Sequence, residues 1–183
     1  MRAVVLAIML VLASAPEAVA QAQYAGIAAA PYEFYEALVS QAADGDFAAL
    51  DHATTHLEPL LRALQAATGV DCGAHLRAAI GARDRERVRA ALRQVLFLDL
   101  RVNLEAGARV ASRERRAELL QMAYGNYEFL GPLLVDRALD TRVKTEFRNA
   151  YRTRDAREYQ AAATRVVGLL GPRCAVGTGH ASR

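Results

Sequence analysis

Two histidines four residues apart stand in Asp51-His52-Ala53-Thr54-Thr55-His56-Leu57-Glu58, with an acid at each end. Residues i and i+4 share one face of a helix, so both imidazoles can reach a single transition-metal ion. Asp51 and Glu58 are the candidates to complete its shell. The hydrolytic His-Glu-x-x-His motif has the same histidine spacing but needs Glu beside the first histidine as general base. Ala53 occupies that place, so zinc hydrolysis has no base here. Cys-x-x-Cys-His is absent, which excludes c-type haem attachment. The plainer reading is two ordinary histidines at a helix surface. On a helical wheel they lie away from the stripe Phe47, Leu50, Thr54, Leu57, Leu61, Leu64. Their neighbours Ala48, Ala49, Ala53 and Thr55 make a small neutral patch, open to another helix or a ligand.

Asp99 is the second position of chemical interest. The stripe Val88, Leu92, Val95, Val102, Ala106 has Asp99 at its centre, and Asn103 follows one turn later. A buried carboxylate needs a partner or a raised pKa. An Arg or Tyr on a neighbouring helix is the expected partner. The functional alternative is an acid serving a bundle-core site, which would make the chain an enzyme. Di-iron bundles place Glu-x-x-His pairs in the core, and none occurs here. No Ser/His/Asp order and no phosphate loop is present either. Tyr124-Gly125-Asn126-Tyr127 offers aromatics for a pocket wall or a core end. Cys72 and Cys174 form an even pair whose spacing matches no zinc pattern, and in an oxidising compartment one disulfide is expected. It would close a loop worth up to roughly 4.7 kcal/mol on the chain-entropy model.

These side chains need helices to position them, and the sequence is written for helices. Alanine is abundant, Trp is absent and Pro is rare. The periodicity predicts a helix over 31–43, then one over 46–67 capped by Asp46 and kinked or broken at Pro59. A turn over 69–73 and a short helical piece over 74–81 lead to Asp84. The run from 84 to 109 is the longest helical signal, and its second half, VLFLDLRVNL, is apolar on nearly every side, as in a buried helix. Arg101 and Glu105 form an i,i+4 pair on a separate face. Ser112 caps a helix over 113–130, and Gly131-Pro132 interrupts it. A helix over 133–152 follows with Leu139, Val143, Phe147 and Tyr151 inward. Asp155 caps the last, 156–170, which Gly168, Gly171 and Pro172 end. The expected fold is all-α, an up-and-down bundle of about five to six helices over 31–174.

The ends give an address. Arg2, the apolar run Val4 to Ala13 and Ala18-Val19-Ala20 have the layout of a cleaved secretory signal over 1–20. The run is too short to span a bilayer. The expected mature chain begins at Gln21, with a loose lead-in over 21–30 and a frayed tail over 175–183, and is periplasmic or secreted with no membrane span. Net charge is +3, but residues 21–61 hold six acids and no Lys or Arg, and Lys144 is the only lysine. An exported chain whose arginines alternate with acids and which lacks a nucleic-acid motif is not read as a nucleic-acid binder. The reading is a non-catalytic binding or accessory module for a protein or a small ligand. The alternatives are a metal-binding protein using His52 and His56, and an enzyme built on Asp99.

Overall fold

Acidic and hydroxyl side chains set the helix starts. A computed structural model describes residues 31–174. The signal pattern, the lead-in and the tail lie outside the described residues. Asp46, Asp71, Asp84, Ser112, Asp136 and Asp155 each accept a hydrogen bond from a backbone N–H of the turn that follows, at 2.6–3.2 Å. Those donors have no partner inside their own helix. Eight helices result, and no strand occurs among the described residues: α1 Pro31–Asp44, α2 Phe47–His56, α3 Glu58–Thr68, α4 Cys72–Gly81, α5 Arg85–Arg109, α6 Arg113–Leu134, α7 Arg137–Arg152 and α8 Ala156–Cys174. None is long and apolar enough to cross a membrane.

The helix count exceeds five to six for two reasons. The 46–67 segment breaks at Leu57, because Pro59 can open a helix but cannot continue one. Cys72–Gly81 is also a full helix, started by Asp71. Elsewhere helices outrun their expected stops. Gly131-Pro132 does not interrupt α6, which runs on to Leu134 and ends at Val135 in the left-handed region. Gly171-Pro172 does not end α8. A proline in a last turn removes only one ladder bond. The burial of Leu170 and Cys174 offsets that loss in α8.

Helix α5 organises the core. It packs against α1, α3, α4, α6 and α8. From Val95 to Leu104 every residue except Arg101 is buried, and Arg101 pairs with Glu105 at 2.7 Å. One continuous apolar cluster runs from Tyr35 through Leu50, Leu96 and Leu130 to Leu170. Gly107 is the closest approach in this packing. A Cβ there would overlap Tyr159 Oη and sit 2.9 Å from Cζ. Only glycine lets the Tyr159 ring lie against α5, with the Arg116 guanidinium 5.5 Å from the ring centroid.

Cys72 and Cys174 correct an expectation. Both thiols are buried and free, with no bridge between them. Each is an apolar side chain of the same core cluster. Burial pushes the Cys72 thiol up to about 11 and the Cys174 thiol up to about 12. The thiolate that oxidation requires is therefore suppressed.

Candidate functional site

The α2 helix brings His52 and His56 together on its exposed side. Their Nε2 atoms are 3.3 Å apart and the rings meet edge to face at 4.9 Å. Phe34 of α1 lies 5.9 Å from the His56 ring. The acids do not join them. The chain breaks at Leu57, so Glu58 belongs to α3 and turns to Arg77, 2.8 Å away. Asp51 is exposed on α2, and among the described residues no three of His, Cys, Asp and Glu gather to hold an ion. The four-residue ligand set expected from the sequence is not assembled.

Asp99 lies at zero exposure. Tyr35 Oη donates to its Oδ2 at 2.6 Å, and Asn103 Nδ2 donates to its Oδ1 at 2.9 Å and to its carbonyl at 3.0 Å. Tyr35 thereby ties α1 to the middle of α5. Tyr35 was not legible in the sequence as this partner. Its signal was an inward position in the Tyr35, Leu38, Ala42 repeat.

The aromatics lead to an open-sided furrow between α6 and α7. Tyr124 is half-buried and stands edge-on to Phe147 at 5.2 Å. Tyr127 is buried behind them, 5.7 Å from Phe147, and its hydroxyl donates to Asp140 Oδ1 at 2.8 Å. Leu120, Gln121, Tyr124, Lys144, Arg148 and Tyr151 line one stretch, a groove of about 780 Å³. A second stretch continues past Lys144 to Gly131, Pro132 and Val135. Tyr151 and Val135 are the two large apolar side chains left most open among the described residues, 75% and 89% exposed, and each lines one of these stretches.

Tyr151 is a second correction. It continues the apolar register of α7 one turn past Phe147, yet it faces solvent. The register outruns the surface that the neighbouring helices cover. The charges of the furrow are uneven. Lys144 Nζ lies 3.0 Å from Asp140 Oδ2. That ammonium holds the Asp140 carboxyl below its usual range, aided by the Tyr127 hydroxyl, and Asp140 in turn raises Lys144. Burial and then the Asp140 bond push Tyr127 far up, so its hydroxyl stays a donor. Arg148 makes no ion pair among the described residues. The stretch from Leu120 to Tyr151 thus joins an aromatic wall, one open guanidinium and one shared ammonium.

Sequence reasoning reached Tyr124, Tyr127 and Phe147 but missed Lys144 and Arg148. Their signal was positional. They stand at i−3 and i+1 from Phe147, flanking the apolar stripe of α7. No family model matches this chain, and comparison with curated proteins and with solved structures returns no match.

Proposed function

We propose that the chain is an exported, non-catalytic binding module, an up-and-down helical bundle that takes a small amphiphilic anion in the α6–α7 furrow. The ligand class is a flat apolar body carrying one negative group. The observation that carries this reading is the aromatic wall of Tyr124, Phe147 and Tyr151 beside Arg148, a cation with no acid to neutralise it among the described residues. The groove's volume falls within the roughly 300–1,000 Å³ of small-molecule sites. An arginine offers a planar fork to an anion, and aromatic faces offer area at little entropic cost. The pattern over residues 1–20 supports export, and Gln21 at the N-terminus of the exported protein is the matching result.

Anilinonaphthalene sulfonate, an aromatic sulfonate whose fluorescence rises in apolar surroundings, is a direct probe. Saturable binding at one per chain is expected. Replacing Arg148→Glu or Tyr151→Ala should each weaken it by about tenfold or more, near 1.4 kcal/mol. Both side chains are exposed, so both variants keep the fold. Binding unchanged in both variants overturns the furrow as the site.

A further inference from the structure

We infer that His52 and His56 form a two-imidazole site for a divalent ion of tetrahedral preference, of the zinc class, whose remaining positions are filled by water. Zinc binds imidazole nitrogen at about 2.0–2.1 Å, and two such ligands at the tetrahedral angle stand about 3.3–3.4 Å apart. The two Nε2 atoms are 3.3 Å apart. The edge of the tetrahedron is therefore already built before an ion arrives. Without metal, one Nε2–H of the pair can donate to the other Nε2. When the ion binds both Nε2 atoms, that bridging proton passes through water to Nδ1 of its own ring, and both rings ligate as neutral Nδ1–H tautomers.

Three features of the site support ligation over chance contact. The two histidines lie on one helix turn of α2, so their backbone separation is fixed. Phe34 of α1 packs on the His56 ring and limits how far it can swing. Both imidazoles are exposed, which leaves the outer side of the pair open to the ion and its waters. The site differs from the one the sequence implied. Glu58 is held by Arg77, and neither it nor Asp51 takes part. With two protein ligands the ion is exchangeable, unlike a closed structural zinc. The site is on α1 and α2, apart from the furrow residues on α6 and α7, and does not depend on them.

The test is a zinc sulfate titration of metal-stripped full chain, read by calorimetry and by histidine ring signals in nitrogen-15 NMR. One ion per chain is expected, with the His52 and His56 rings shifting together. His75 Nδ1 lies 2.9 Å from Gln94 Oε1 on another face, so the His75→Ala variant should bind zinc as the native chain does. Each of His52→Ala and His56→Ala should lose at least about tenfold in affinity, because one imidazole remains. Alanine favours helix at these exposed positions, and helical circular dichroism checks that the variants stay folded. Zinc binding retained in the double variant overturns the site. So does an absence of shifts at His52 and His56 under saturating zinc, or one ion per two chains with dimerisation.

Discussion

The replacements Gly107→Ala and Gly168→Ala make the same chemical change in two helices and should have opposite effects. Both glycines are helical, so both gain the roughly 0.8–1.0 kcal/mol that separates alanine from glycine in a helix. At Gly168 a new Cβ meets nothing within 4 Å, so that gain should appear in full. At Gly107 the new Cβ overlaps Tyr159 Oη and lies 2.9 Å from Cζ and 3.3 Å from Cε1, where ordinary contacts need 3.4–4 Å. Tyr159 cannot simply withdraw. It is fully buried, and Arg116 covers its ring. Forcing a methyl into such a site typically costs about 1–3 kcal/mol. Because the propensity gain is common, the difference between the two variants isolates the overlap. Urea unfolding followed by circular dichroism should place Gly107→Ala about 1–3 kcal/mol below Gly168→Ala. Adding Tyr159→Phe should recover part of the deficit, since Oη is the nearest atom and has no hydrogen-bond partner among the described residues. Equal midpoints for the two alanine variants would refute the packing of α8 on α5.

Tyr35→Phe keeps the ring but removes the bond to Asp99, and should cost about 1–3 kcal/mol in the same assay. Unchanged stability would remove the tie between α1 and α5. The thiols of Cys72 and Cys174 should resist alkylation until the chain unfolds. Their folded pKa values lie above the ordinary 9.0, so the stability they contribute is complete below pH 9 and declines as pH rises through about 11 for Cys72 and about 12 for Cys174. Rapid alkylation of native protein at pH 8 would contradict this. Val135 ends α6 at φ 51° while 89% exposed, a left-handed conformation that costs a β-branched residue. Val135→Gly should raise stability by about 0.5–1 kcal/mol in the thermal midpoint, and a loss would contradict the strain.

The periodic parts of the fold were legible because each helix faces the core with spacing that survives any arrangement. The VLFLDLRVNL run announced a buried helix since no solvated face was left to it. Caps were legible where an acid stood before a clear apolar run, as at Asp46 and Asp155. Helix ends were not. Gly131-Pro132 and Gly171-Pro172 are local stop signals, and the contacts of distant helices outweigh them. Asp99 was legible as an interior polar position, whereas its partner Tyr35 lies 64 residues away and only the packing of α1 brings it near. Glu58 looked available to a metal because a break expected at Pro59 leaves it on the histidine helix, whereas the break falls at Leu57. The furrow was half legible. Aromatics at helical spacing mark a wall, but whether Tyr151 fills a core or faces water depends on where α6 stops covering α7.

The most direct measurement of the binding claim is a nitrogen-15 NMR map of the chain titrated with anilinonaphthalene sulfonate. The amides of Gln121, Tyr124, Phe147, Arg148 and Tyr151 should shift together and saturate at one equivalent, while those of α2 and α3 stay in place. Saturating shifts that gather elsewhere, or that spread over all eight helices, would contradict the α6–α7 furrow as the binding site.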